Sequence, residues 1–309
     1  MQKNILLILT LFTSFITYGQ RIETVYLNPK DSTTNRYVAV FPENETVKSY
    51  MVLLDAFRNS PKDVLSQTDI PKYASQNGIL TIIPILKTGS SFFGSDWASQ
   101  QSLKEILEHV VTKHQLQGKD FFIGGFSIGG TCAVKYSELS IENNYPIKPK
   151  AVFAIASPLD WERYYNAAKR VVRLSNPEKV NQEVFFMIDR IEKEMKGTPK
   201  TALKNFYINS PYSFSDTTQK AIKSLIKTPI MLISEPDIQW GLKERGYDLS
   251  YNNITDHSAM INELQRLGNT NAVLVTTIDK GYRKPNNIRH PISWSIADPE
   301  QIIKWLQSQ

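Results

Sequence analysis

Phe121-Phe122-Ile123-Gly124-Gly125-Phe126-Ser127-Ile128-Gly129-Gly130, near the middle of a 309-residue chain, joins an apolar run to a stretch from Thr131 to Tyr136 that reads as helix. An unbroken hydrophobic run is the mark of a parallel strand buried on both faces. The turn after it sets a serine between Gly125 and Gly129, where a sharp strand-to-helix bend leaves no room for Cβ atoms and lifts the serine Oγ above the sheet edge. Gly-x-Ser-x-Gly alone arises by chance in roughly one chain in ten of this length, so the weight rests on context. The small residues from Gly129 to Ala133 supply it, because they let the helix lie close on its strand. Ser127 is the candidate nucleophile.

A hydrophobic fraction of 41% is enough for a full core. Met1 to Gly19 has a lysine at position 3, an apolar run from Ile5 to Phe15, and small or polar residues before Gly19, the layout of a cleaved secretory signal. The expected organisation is therefore a leader over 1–19 and one domain over 20–309, secreted or periplasmic, with no stable membrane span once the leader is removed. The single cysteine, Cys132, permits no internal disulfide and reads as a small buried apolar residue. A formal charge of +6 comes from 36 bases scattered among 30 acids, with no basic stripe, so nucleic acid is not an expected partner. The sequence sets no oligomeric state.

Working outward from the elbow, Ile22 to Leu27 and Arg36 to Phe41 alternate as a hairpin, and Ser49 to Leu54 and Ile79 to Ile83 read as strands before it. Ala151 to Ala156, Pro229 to Ser234 and Ala272 to Thr277 read as strands after it. Helical spacing over Ser102 to His114, Asp256 to Leu267 and Pro299 to Leu306, with helix starts at Ser60-Pro61 and Asp69-Ile70-Pro71, gives strands separated by helices. That alternation predicts a doubly wound, mostly parallel α/β sheet with helices on both faces. One crossover, 158–228, is too long for a single helix and carries Val184, Met187, Ile188, Ile191 and Met195 on one face. It is expected to be a helical cap over the carboxyl edge of the sheet.

A serine hydroxyl needs a base within hydrogen-bond reach and a carboxylate behind that base. Of the four histidines, His109 and His114 fall on a helical surface and His257 opens a helix in a capping or surface role. His290, in a loop between the last strand and the last helix, is the candidate base. Asp237, in the turn after Pro229 to Ser234, is the preferred acid, with Glu235 and Asp160 as alternatives. The oxyanion donors are expected to be the N–H of Ile128 and, from the turn after Ser49 to Leu54, that of Phe57 or Ala56. Phe92, Phe93, Trp97, Trp161, Tyr164, Tyr165, Trp240 and Trp294 are expected to line an apolar pocket, while Arg283 and Arg289 read as solvated surface with a substrate carboxylate as the alternative.

The elbow Gly125 to Gly129, the order Ser127, Asp237, His290, and the strand and helix alternation resemble the α/β-hydrolase superfamily, and within it the secreted esterase-like enzymes with a helical cap between the sixth and seventh strands. The resemblance implies an eight-stranded sheet, a serine hydrolase of the carboxylesterase type acting on a small-molecule ester through an acyl-enzyme, and no cofactor or metal. Two rival readings stand beside it: a small serine aminopeptidase or amidase of the same fold, and a catalytically silent hydrolase fold used for binding. Asp55-Ala56-Phe57 lacks the His-Gly pair common in that superfamily, and Glu235-Pro236-Asp237 is an unusual acid loop.

Overall fold

β1 (Ile22–Tyr26) and β2 (Arg36–Val40) open the chain as an antiparallel hairpin with Val25 opposite Tyr37. The computed structural model describes residues 20–91, 93–175 and 180–309. The leader assigned to residues 1–19, and Phe92, lie outside them. The elements up to the elbow are β3 (Ser49–Leu54), α1 (Pro61–Gln67), α2 (Ile70–Gln76), β4 (Ile79–Ile85), α3 (Trp97–Lys113) and β5 (Asp120–Phe126). Ser60 and Asp63 close a reciprocal capping box on α1, and Pro61 occupies its first turn, where the missing N–H costs nothing. α3 starts ahead of the predicted Ser102 because Asp96 caps it, accepting from the Ser99 N–H at 3.0 Å.

After the elbow come α4 (Ile128–Glu142), β6 (Ala151–Ile155), α5 (Trp161–Leu174), α6 (Gln182–Met195), α7 (Pro199–Asn209), α8 (Lys220–Lys223) and β7 (Ile230–Ser234). The chain ends with α9 (Ile238–Trp240), α10 (Ile254–Arg266), β8 (Ala272–Thr276), the small hairpin β9 (Tyr282–Arg283) and β10 (Ile288–Arg289), and α11 (Pro299–Gln307). The main sheet has eight strands in the order β1-β2-β4-β3-β5-β6-β7-β8. β2 is antiparallel to β4, and every neighbour from β4 to β8 is parallel. The doubly wound, mostly parallel architecture follows as expected.

Alternation along the central strands divides the core between the two faces of the sheet. Tyr50, Val52, Phe121, Ile123, Val152 and Ala154 point to one side, against Leu103, Ile106 and Val110 of α3, Ala133 and Val134 of α4 and Met260 and Leu264 of α10. Met51, Leu53, Phe122, Phe153 and Ile155 point to the other, against Val64 of α1, Ile70 and Ala74 of α2 and Ile302, Ile303 and Leu306 of α11. Cys132 is buried within the first layer. Among the described residues no helix is long and apolar enough to cross a membrane.

α5, α6 and α7 bury a third cluster built from Trp161, Ala168, Val184, Met187, Ile191, Met195 and Phe206, joined by Phe93 and Ile128 from the body of the fold. The apolar face of this three-helix lobe thus packs on the start of the elbow helix. Its entry and exit are tied to each other. The Tyr212 N–H donates to Leu159 O at 3.1 Å, Trp161 N–H to Ser210 Oγ at 3.1 Å, and Phe214 N–H to Asp160 Oδ2 at 2.9 Å.

Candidate active site

The elbow turn is drawn tight by backbone alone. A Cβ on Gly125 would lie 2.5 Å from the Gly129 carbonyl carbon, and one on Gly129 would lie 2.5 Å from Asp55 O, with the Leu54 carbonyl nearer still. β3 and the first turn of α4 therefore touch main chain to main chain. Ser127, between them, has φ 52° and ψ −124°. Such a conformation costs a non-glycine residue of order 1–3 kcal/mol and persists only where its surroundings enforce it. Here the Ser127 N–H donates to Ile155 O at 2.8 Å, and Ser127 O accepts from Gly130 N–H at 3.0 Å.

Ser127 opens onto a cavity of about 930 Å³ that is also lined by Ala56, Phe57, Ile128 and His290. The N–H groups of Ile128, at the start of α4, and of Phe57 have no acceptor among the described residues. The Ala56 N–H is engaged, donating to Asp55 Oδ1 at 2.6 Å. Asp55 also accepts from Asn59 Nδ2 at 3.3 Å and Trp294 Nε1 at 3.2 Å, and burial pushes its carboxyl up to about 6 against those three donors. The Asp55 side chain thus staples the turn that presents Phe57.

His290 is carried by the β9–β10 hairpin, its N–H donating to Gly281 O at 2.8 Å, and is 8% exposed. Its ring packs on Trp240 with centroids 4.8 Å apart. Ile292 N–H faces Nδ1 at 3.2 Å and Arg245 Nη2 faces Nε2 at 2.8 Å. Burial, then the charges of Arg283 and Arg245, hold the imidazole down to about 3, so it is neutral. A neutral imidazole has one acceptor nitrogen and satisfies one of these donors at a time. Among the described residues no hydrogen bond joins His290 to Ser127 or to a carboxylate.

The three candidate acids are engaged elsewhere. Asp237 Oδ2 accepts from Arg289 Nη2 at 2.6 Å and its Oδ1 from Trp240 N–H at 2.9 Å. Glu235 pairs with Arg289 Nη1 at 2.5 Å and accepts from Thr277 Oγ1, Lys280 N–H and Gly281 N–H. Asp160 caps α5 through Arg163 N–H and accepts from Phe214 N–H; burial, with Asp256 nearby, raises it to about 7. Arg289, read from the sequence as solvated surface, is instead a clamp across the acid loop and the base hairpin.

Further expectations need correction. His257 is fully buried rather than capping or exposed: Nδ1 meets Ser234 Oγ at 2.8 Å and Nε2 meets Ser157 O at 2.9 Å, and burial lowers it to about 4. It buttresses the ends of β6 and β7. Trp97 is 65% exposed at the start of α3 rather than lining the pocket. Of the other aromatics, Tyr164 and Trp294 line the cavity, while Phe93, Trp161, Tyr165 and Trp240 pack around it. Sequence reasoning missed Arg245, which stands on the short turn Gly241–Arg245 with no periodic pattern to announce it. It also missed Arg163, which reaches Asp256 Oδ1 at 2.6 Å across 93 positions. Among the described residues no group of three His, Cys, Asp or Glu side chains converges as a metal site.

The order and direction of the eight strands and the elbow between β5 and α4 are those of the α/β-hydrolase fold. No protein-family model matches the chain, and no curated protein matches it by sequence. Similar solved structures include an S-formylglutathione hydrolase from Agrobacterium tumefaciens, at 12% identity and TM-score 0.56, covering 94% of this chain and 96% of that one. Carboxyl esterase 2 of the fungus Tuber melanosporum is similar at 15% identity and TM-score 0.58, over 96% of this chain and 87% of its own. A fluorophosphonate-binding serine hydrolase of Staphylococcus aureus is similar at 14% identity and TM-score 0.53, over 93% and 98%.

Proposed function

We propose that this chain is a secreted serine hydrolase cleaving a carboxylic ester, with Ser127 as nucleophile, His290 as base and Asp237 as the supporting acid, Glu235 and Asp160 being the alternatives. The observation that carries the reading is Ser127 itself: a serine held at positive φ beside two backbone N–H donors that have no acceptor among the described residues, in a cavity shared with a neutral imidazole. Neutral is the form a base must have to accept a proton, and its basicity is restored as the ring leaves Arg245, whose charge helps hold it down. The names of the similar structures, esterases and serine hydrolases, support the same class.

In this mechanism Ser127 Oγ bonds to the carbonyl carbon as its proton passes to His290, and the Ile128 and Phe57 N–H groups receive the oxyanion. Collapse breaks the bond to the alcohol oxygen, which takes the proton from His290. Water then repeats the cycle: its proton goes to His290, its oxygen to the acyl carbon, and Ser127 leaves with the proton, releasing the acid. The relay requires His290 Nε2 to turn from Arg245 to Ser127 and a carboxylate to be released from Arg289.

Fluorophosphonate labelling tests the reading: the wild type is expected to label and Ser127→Ala to remain unlabelled. Turnover of p-nitrophenyl esters with none of aminoacyl p-nitroanilides is expected; the reverse favours the aminopeptidase or amidase reading. The placement of His290 and of both loop carboxylates on arginines favours the silent binding fold as second reading, and labelling unchanged in Ser127→Ala would select it. Recovery of chains beginning at Gln20 from the medium or periplasm tests the leader.

A further inference from the structure

Three guanidinium groups, Arg58, Arg245 and Arg283, line the cavity that Ser127 opens, and none forms an ion pair with a carboxylate among the described residues. Four other arginines are matched to carboxylates, among them Arg163 to Asp256 and Arg289 to Glu235 and Asp237. Arg58 lies over the Phe186 ring at 4.5 Å, and Arg283 spends one nitrogen on Ile292 O at 3.1 Å. Arg58 is exposed to solvent, whereas Arg245 is withdrawn from it and stands beside the base. It is half-buried, stacks over Trp240 at 5.4 Å and donates to a neutral ring, His290.

The cavity's own carboxylates do not balance these charges. Asp63 is committed to the Ser60 backbone and hydroxyl, each at 2.7 Å. Glu183, in the first turn of α6, acts on Arg283 without pairing. A guanidinium meets a carboxylate through two parallel charge-assisted N–H bonds that also neutralise it, whereas a neutral ring nitrogen takes one bond and leaves the charge. An incoming carboxylate therefore outcompetes imidazole for Arg245, whereas a dianion would also meet the Glu183 charge.

We propose, building on the hydrolase reading above, that the cavity selects esters bearing a second, free carboxylate, and that Arg245 receives it by leaving the ring of His290. The exchange couples recognition to readiness. The same movement that binds the anion frees Nε2 and neutralises a cation beside the base, so an anionic substrate relieves an arrangement that a neutral ester leaves in place.

Ser127→Ala protein, titrated calorimetrically with ethyl hydrogen glutarate and with diethyl glutarate, reads the anion preference without turnover. The monoanion is expected to bind about tenfold more tightly or better, and Arg245→Met in the same background to bring the two within about threefold. Equal affinity for the two esters overturns the proposal, as does a preference untouched in folded Arg245→Met. The first comparison needs no arginine variant, so misfolding of that variant leaves the proposal exposed to refutation. With wild-type protein, mono-p-nitrophenyl glutarate is expected to exceed p-nitrophenyl acetate in kcat/KM by a similar factor. Turnover of neither, with the binding preference intact, rejects the hydrolase reading and upholds the anion site.

Discussion

Replacing Gly129 with alanine probes the contact on which the elbow depends. The new methyl would sit 2.5 Å from Asp55 O, where ordinary contact begins at 3.4 Å. Neither this carbonyl nor that of Leu54, at 2.3 Å, is a side chain able to swing away, so reaching that distance takes a retreat of about 0.9 Å by the Asp55 peptide and about 1.1 Å by the Leu54 oxygen. That peptide leads directly into Ala56 and Phe57, the turn of the proposed second oxyanion donor. A displacement near 1 Å at a positioned group costs on the order of 10²-fold in rate, and overpacking a tight core site costs about 1–3 kcal/mol of stability. Gly129→Ala is therefore expected to lose about 10²-fold in kcat toward p-nitrophenyl acetate while shifting the urea midpoint modestly downward. The two readouts separate a moved donor from a broken fold. A variant with kcat within threefold of wild type and an unchanged midpoint would refute the reasoning, since it would show that the strand and helix have room to part.

Asp256→Ala is expected to cost about 3–5 kcal/mol in urea unfolding, because Asp256 is fully buried and its loss strands Arg163 and the Leu159 and Asp160 N–H groups; a cost below about 1 kcal/mol would show that water replaces it. His257 is held down to about 4 against an ordinary 6.5. The unfolded chain therefore takes up the proton first on acidification, so this group's stability is present above pH 6.5 and falls away as the pH drops to 4, by about 3 kcal/mol. His257→Asn should flatten that part of the pH–stability curve. Burial pushes the Cys132 thiol far above its ordinary range, so native protein is expected to resist a disulfide-exchange reagent until urea unfolds it.

What the sequence revealed and what it hid divide along a physical line. Buried parallel strands such as Phe121 to Ile123 and Ala151 to Ala156 are legible because covering both faces demands continuous apolar residues, and the elbow because a close backbone approach demands glycine. The long crossover was visible as excess length with an amphipathic stretch. Partnerships between distant side chains left no such trace. Arg289 meets Asp237 across 52 positions, and His257 meets Ser234 across 23. A histidine beside an aspartate at a helix start reads the same whether that turn faces solvent or the end of a sheet. The start of α3 was missed because Asp96 caps it in front of residues that carry no apolar period.

The hydrogen-bonded neck between Leu159–Trp161 and Ser210–Phe214 means that the three-helix lobe hangs from the sheet by a closed stem. A segment whose two ends already meet can be shortened, lengthened or exchanged at small entropic cost, because closing a longer loop adds little once its base is fixed. The strands and the elbow make no covalent demand on what the stem holds. A short linker joining the two stem segments in place of residues 164–209, which keeps Arg163 on the buried Asp256, is thus the natural splice for a capless variant, and the same splice admits a lobe from another chain, making this stem the point at which specificity and scaffold can be inherited separately.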